Sequence, residues 1–356
     1  MTVNRLKFLN DVTKALPGIA TGTISLEGAD SLVFLNEHIY SYNSAISVNV
    51  KESEQRGLKG LVKAQDFYNC LNKLPGDTIN IEMTEGTWEI SDGKIHVSMK
   101  LLSSENIFSR FESLKPSDEG WKDIDGVDFN NALKMCFIKN DTSSLKGIYF
   151  KGNTAYATNK CVINKYVLKN EYPEVWISSN AILELLKWKN FKRVQFDKQW
   201  LHFEAEDGAV FSVRTMSTEN YPLESMKGVL EASLQKNVYK EIELTDSFYK
   251  AVNRASSFSS SVEEFDVINI KFGTNLVIKG SRVSGNFEEI VDDMQVNFAT
   301  PIELAFNVEE FISSEKYFKT LKILSDSDTI DEKSPVRIII QNDDCIKLFS
   351  TVVMDD

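Results

Sequence analysis

Three copies of one helix-and-hairpin unit constrain this sequence more than any other feature. The clearest copy runs from Ser178 to Met216, SSNAILELLKWKNFKRVQFDKQWLHFEAEDGAVFSVRTM. Its helix puts Ile182, Leu185 and Leu186 on one face, with Glu184, Lys187 and Lys189 elsewhere. The period then changes: Leu201, Phe203 and Ala205 alternate with Trp200, His202 and Glu204. Asp207-Gly208 supplies a two-residue hairpin turn, and Val210 to Met216 returns as a strand. Residues 62–99, VKAQDFYNCLNKLPGDTINIEMTEGTWEISDGKIHVSM, repeat the format, with Phe67, Cys70, Leu71 and Leu74 at helical spacing and Asp92-Gly93 between strands. Trp88 answers Trp200. A weaker third copy is FNVEEFISSEKYFKTLK followed by VRIIIQNDDCIKLFSTVVM. A repeat of this length makes the fold class α+β, as three topologically similar domains: 1–117, 118–238 and 239–356.

Each third opens with a helix of its own. NRLKFLNDVTKAL is expected to bury Leu6, Leu9, Val12 and Leu16 and to turn Lys7, Asn10 and Lys14 outward. DGVDFNNALKMCFIK carries Phe129, Ala132, Leu133 and Cys136 as its stripe. ELTDSFYKAVNRASSF carries Phe248, Ala251, Val252 and Ala255, with Thr245 as cap. A sixth helix is expected from Asn307 to about Thr320. The stretch SSENIFSRFESLKPSDEG reads as polar and helix-poor, and STENYPLESMKGVLEASLQKNVYK as an irregular connection.

Net charge is −12, which argues against a surface that attracts nucleic acid everywhere. The helical windows nevertheless carry twelve basic against eight acidic residues. An acidic body with basic helix faces suits a protein that meets phosphate on one surface. No apolar run approaches the roughly 20 residues of a membrane span, and MTVNRLKFLN is not a signal peptide, so a cytoplasmic protein without a membrane partner is expected.

The chemistry of catalysis is missing. No G-x-x-x-x-G-K-[ST] or G-x-G-x-x-G occurs. Cys70, Cys136, Cys161 and Cys345 lack metal-ligand spacing, and His38, His96 and His202 form no His-x-x-x-His pair, His96 and His202 falling at polar-facing strand positions. The acidic pairs Asp292-Asp293, Asp343-Asp344 and Asp355-Asp356 do not make the converging carboxylates of a two-metal nuclease. The chain reads as a non-enzyme with no catalytic residues, no metal site and no cofactor.

In order along the chain, several stretches resemble the bacterial-type sliding clamp, the β subunit that gives replicative DNA polymerases their processivity. VKAQDFYNCLNKLPGDTINIEMTEGTWEISDGKIHVSM is similar to the second half of that family's first domain. GIYFKGNTAYATNK is similar to the strands opening its partner pocket, ENYPLESM to its Phe-Pro-x-Tyr linker, ELAFNVEEF to its Gly-Phe-Asn-Val helix start, and TVVMDD to its Val-Val-Met-Pro-Met ending. Two places depart: Asn159, Lys160, Cys161, Val162 and Ile163 stand for Asp-Gly-His-Arg-Leu, and Ser143-Ser144 for an aromatic pair before Leu145. These departures point to a divergent member, of phage origin.

The resemblance implies a head-to-tail homodimer, a ring of six domains around double-stranded DNA held without regard to sequence, and DNA polymerase and clamp loader as partners. Expected phosphate contacts are Lys7, Lys14, Lys73, Lys134, Lys187, Lys250, Arg254 and Lys319. A hydrophobic pocket for a polymerase peptide would be lined by Leu145, Thr158, Ile163, Pro222, Met226, Asn307, Val352, Val353 and Met354, with the acidic end favouring a peptide with a basic flank. The alternative from another class is a repeat-built interaction scaffold that binds only proteins, its basic helix faces being ordinary solvated surface.

Overall fold

Asn4 starts the first helix by accepting a hydrogen bond from the Lys7 amide at 3.0 Å. The computed structural model describes residues 1–20, 27–54, 56–102, 105–139, 141–197, 199–262, 265–312, 317–327 and 329–353. Among them are eight α-helices: α1 (Arg5–Ala15), α2 (Ala64–Lys73), α3 (Glu105–Ser113), α4 (Gly126–Cys136), α5 (Ser179–Leu185), α6 (Leu223–Leu234), α7 (Asp246–Ala255) and α8 (Glu309–Ile312). The chain forms two units, Met1–Val127 with Asn180–Met216, and Asp128–Ser179 with Ser217–Asp356. The second repeat contributes to both.

In the first unit, α1 and α2 pack aromatic rings between two antiparallel sheets. Phe8 of α1 and Phe67 of α2 meet Phe34 and Trp88 edge to face, with Phe34 and Trp88 4.9 Å apart and Phe8 and Phe67 5.6 Å apart. Phe34 belongs to an eight-stranded sheet. Its order is Gly60–Lys63, Ser31–Leu35, His38–Tyr42, Ile46–Lys51, Val210–Arg214, Trp200–Ala205, Phe191–Asp197 and Lys122–Asp123. Trp88 belongs to a four-stranded sheet, Thr2–Asn4, Thr78–Thr84, Thr87–Ser91 and His96–Lys100. The eight-stranded sheet joins the first repeat to the second, Val48 opposite Phe211.

In the second unit the same join recurs. A six-stranded sheet runs Gly147–Thr158, Val162–Ser178, Cys345–Ser350, Arg337–Gln341, Thr320–Leu324 and Val238–Glu243, with Val162 opposite Phe349. A five-stranded sheet contains Ser260–Val262, Phe265–Phe272, Asn275–Arg282 and Gly285–Gln295, and Ile302–Asn307 pairs with Phe265–Phe272. Thr245 caps α7 by accepting from the Phe248 amide at 3.3 Å, and Phe248 packs on Phe311 of α8 at 5.3 Å.

Several local expectations needed correction. The buried face of α1 is Phe8, Asp11, Val12 and Ala15, and Leu6 is 55 % exposed. The rotation has an electrostatic cause: Asp11 is buried because it accepts from Arg56 at 3.0 Å and from the Ser53 amide and hydroxyl at 3.0 and 2.8 Å. The polar stretch after Met99 holds α3, whose Ile107 and Phe111, four residues apart, bury against Val33, Leu35, Tyr40 and Leu61. The connection read as irregular holds α6, with Leu223, Met226, Leu230 and Ser233 inward. The Asp-Gly hairpins are longer than two residues: Ser91 faces His96, and the Asp92 carboxylate accepts from the Lys94 and Ile95 amides at 3.1 and 2.9 Å. Asn307 ends a strand and Thr320 opens one, so the last helix is shorter than expected; residues 313–316 lie outside the described residues.

Candidate functional site

The expected phosphate contacts divide between the two units. In the first unit, Lys7 is exposed on α1 with its ammonium 3.5 Å from Glu54. Lys14, in the last turn of α1, is paired with Asp207 in the hairpin after Trp200–Ala205. Lys73 ends α2 and is exposed. Lys187 lies just past α5 and donates to Glu184 at 2.6 Å. In the second unit, Lys134 and Lys250 are exposed on α4 and α7. Arg254, on the same helix, clamps Glu289 with Nε at 2.9 Å from Oε2 and Nη2 against Oε1. Lys319 is exposed but not helical; it lies in the link to Thr320–Leu324, its amide donating to Gln341 O at 3.2 Å.

These pairings shape the local charge. Burial opposes ionisation of Asp207, yet the bonds from Lys14 and from the Ala209 amide outweigh it and hold the carboxyl below its ordinary range. The bond to Glu289 holds the Arg254 guanidinium more firmly protonated still.

Among the described residues, those expected to line the partner pocket all belong to the second unit. Thr158 ends its strand by donating from Oγ1 to Val162 O at 2.7 Å, and Ile163, 9 % exposed, stands opposite both Thr158 and Leu348. Between them Lys160 takes a left-handed φ of 80°, while the Asn159 carboxamide accepts from the Cys161 and Val162 amides, both at 3.0 Å. Leu145 is half-buried before the same strand. Pro222 precedes α6 and Met226 is buried within it. Tyr221 ties this end of α6 to the strand, stacking on Tyr149 at 4.5 Å and donating to Tyr156 O at 3.4 Å. Val352 donates to Ala305 O at 2.8 Å, laying the chain end along Ile302–Asn307. Val353 is half-buried there, and Met354 lies outside the described residues. A cavity of about 550 Å³ in this unit includes Asn307 in its lining, with Lys139, Lys160, Asp266, Glu309, Glu310 and Lys347.

No protein-family model matches the sequence, and no curated protein matches it either. Solved structures match it along its whole length. The beta subunit from DNA polymerase of Streptococcus pyogenes superposes with a TM-score of 0.76 at 17% identity, over 99% of each chain. The DNA polymerase sliding clamp from Bacillus subtilis gives the same values. The Helicobacter pylori beta clamp, in a complex with a DNA ligase peptide, matches at 0.76 and 15% identity over 99% of this chain and 100% of that one. The chain has the sliding-clamp fold.

Within this clamp fold the largest feature that sequence reading missed is a buried charge network under α1. Arg56, almost without solvent contact, reaches Asp11, lies 3.6 Å from Glu54 and sits 4.2 Å over the Phe8 ring. Its amide donates to Glu52 at 2.8 Å, and burial pushes the Glu52 carboxyl up from its ordinary value. A lone Arg in the polar segment ESEQRGLKG gives no periodic signal, so sequence reading had nothing to find. His202, expected at a polar-facing position, is 3 % exposed, hydrogen-bonded through Nδ1 to Ser212 Oγ at 2.7 Å. Among the described residues no three His, Cys, Asp or Glu side chains gather to hold a metal ion, and no helix is long and apolar enough to cross a membrane.

Proposed function

We propose that this chain is a non-enzymatic processivity factor, a ring of two copies that encircles duplex DNA in the cytoplasm and tethers a polymerase. The observation that carries this reading is the pattern of joins between repeats. The fourth strand of the first repeat, Ile46–Lys51, pairs with the last strand of the second, Val210–Arg214. The corresponding strand of the second repeat, Val162–Ser178, pairs with the last strand of the third, Cys345–Ser350. By the same rule Gly285–Gln295 of the third repeat would pair with His96–Lys100 of the first. Each of these strands instead ends its own sheet, paired on one side with Asn275–Arg282 and with Thr87–Ser91. Two joins are made within the chain and the third waits for a second copy.

The two edges are complementary. Gly285–Gln295 carries Glu288, Glu289, Asp292 and Asp293, while His96–Lys100 is flanked by Lys94 and ends at Lys100. Ile290 is 50 % exposed on one and Ile95 41 % exposed before the other. Head-to-tail pairing repeated twice closes a ring of six repeats, which supports the division into domains 1–117, 118–238 and 239–356. Solution mass tests the closure. Twice the 40.4 kDa chain mass is expected at micromolar concentration, and a strict monomer or trimer contradicts it.

The residues that would face DNA are the helix cations Lys7, Lys14, Lys73, Lys134, Lys250 and Arg254, together with Lys187 just past α5 and Lys319 before Thr320–Leu324. Contacts of this kind bind phosphate without reading bases, which a sliding ring needs. For the tether we favour the site around Thr158, Ile163, Pro222, Met226, Asn307, Val352 and Val353, since a solved clamp of this fold binds a DNA ligase peptide. A clamp loader would open the ring. The acidic pair Asp355-Asp356, which follows Met354 in the sequence, favours a partner peptide that carries basic residues next to its apolar anchors.

A further inference from the structure

Half of the eight expected phosphate contacts already hold a carboxylate. Lys7 pairs with Glu54, Lys14 with Asp207, Lys187 with Glu184, and Arg254 with Glu289. We propose that Glu54, Asp207, Glu184 and Glu289 are internal competitors for phosphate, keeping the contacts with duplex DNA weak enough to break and re-form as the ring slides. This inference rests on the DNA-encircling reading.

A carboxylate and a phosphate offer a cation the same ligand, a pair of anionic oxygens. A lysine neutralised before DNA arrives must leave one anion to meet another, so the gain per contact shrinks by about twofold to fivefold, the worth of an exposed ion pair. The geometry shows why the carboxylates do not simply follow their cations to the DNA. Glu54 Oε2 accepts from the Asn4 amide at 3.1 Å and lies 3.6 Å from Arg56. Asp207 Oδ1 accepts from the Ala209 amide at 3.1 Å. Glu289 sits on a strand, and its two oxygens meet the Arg254 fork in the two-pronged arrangement that a guanidinium uses on phosphate. Glu184, a turn before Lys187, is the purely local member.

The competitors also set the salt response. When a paired lysine moves to phosphate, the counterion released from DNA is partly offset by the cation that the freed carboxylate then attracts, so the contact adds less than the usual unit to the salt slope. Removing the carboxylate restores that unit. Lost net negative charge would also tighten binding, so the test needs a charge-matched control.

The experiment compares three proteins on closed circular duplex DNA across about 50 to 200 mM salt, with solution mass checked in each. One is the unaltered protein. The second carries Glu54→Gln, Asp207→Asn, Glu184→Gln and Glu289→Gln. The control carries Glu82→Gln, Glu85→Gln, Asp118→Asn and Glu119→Gln, four exposed positions outside these pairs. The paired variant is expected to bind about tenfold or more tighter than the control, with a salt slope steeper by up to about four units and slower diffusion along DNA. Equal affinity and slope in the paired variant and the control overturn the proposal. Should the fourfold variant fail to assemble, Asp207→Asn with Glu184→Gln, away from the strand edges, gives the same comparison against Glu82→Gln with Glu85→Gln. If the unaltered protein itself shows no retention on DNA, the encircling reading fails, and this proposal with it.

Discussion

Val48 stands opposite Phe211 in the sheet that joins the first repeat to the second, and the same relation recurs in the second unit, where Val162 stands opposite Phe349. Both joins set the strand after a repeat's first hairpin beside the last strand of the next repeat. In the proposed ring the third instance of this relation, Gly285–Gln295 beside His96–Lys100, would be made between two copies of the chain, since each of these strands ends its own sheet.

The first prediction concerns that edge. Lys94→Glu with Lys100→Glu should weaken self-association by about tenfold or more, as should Glu288→Lys with Asp292→Lys. Combining all four in one chain restores complementarity, because each interface then carries both reversals. Sedimentation over a concentration series reads the three variants; weakening that the combined variant deepens instead of relieving would contradict the pairing.

The charge network under α1 gives a second prediction. Arg56→Ala leaves Asp11 buried without its guanidinium, which should cost about 3–5 kcal/mol of local stability. Hydrogen exchange in α1 is the readout. Unchanged protection of the Phe8 to Ala15 amides would show that the pair does not hold this helix.

These two regions show what the sequence could and could not tell. The faces of α2, α4 and α7 were legible because their buried residues are nearly all apolar and keep helical spacing: Phe67, Leu71; Phe129, Ala132, Leu133, Cys136; Phe248, Ala251, Val252, Ala255. The α1 face was not, because its stripe includes a charge whose partner lies 45 residues away. For α3 the stripe is Ile107 and Phe111 alone, too short against its polar neighbours, and the buried face of α6 includes the polar Ser233 and follows Pro222, which only precedes the first turn. At the candidate site the cations were legible as residue types. Their carboxylate partners were not, since Asp207 and Glu289 come from hairpins remote in sequence from Lys14 and Arg254.

The third prediction is a pH dependence. Burial lowers the His202 pKa to about 4, below its unfolded value of about 6.5. The unfolded chain therefore binds more protons between these values. The contribution of neutral His202 is complete above about pH 6.5 and is lost as pH falls toward about 4, some 3 kcal/mol at most. His202→Gln should remove this share of the acid sensitivity. The carboxylates held low by hydrogen bonds, such as Asp207, titrate in both proteins, so the difference between the two stability profiles isolates the histidine. Parallel profiles through that window would contradict the assignment.

The fourth prediction addresses the partner site. Val353 is half-buried beside the strand that Val352 joins, so Val353→Asp should leave the fold intact and weaken binding of the cognate polymerase's C-terminal peptide by about tenfold or more. Ile163→Ala should weaken it as well, with some loss of stability from the truncated contact opposite Leu348. Titration calorimetry on both variants, with the mass of the assembly measured alongside, reads the effect. Unaltered affinity in both would place the peptide elsewhere.

Encirclement itself is tested most directly by topology. The protein is loaded onto closed circular duplex DNA, the salt is raised until contacts with phosphate no longer hold it, and the circle is then cut once. A ring should remain on the closed circle at high salt and leave when the DNA gains an end. Release from the closed circle at high salt, or equal retention before and after cutting, would contradict the account.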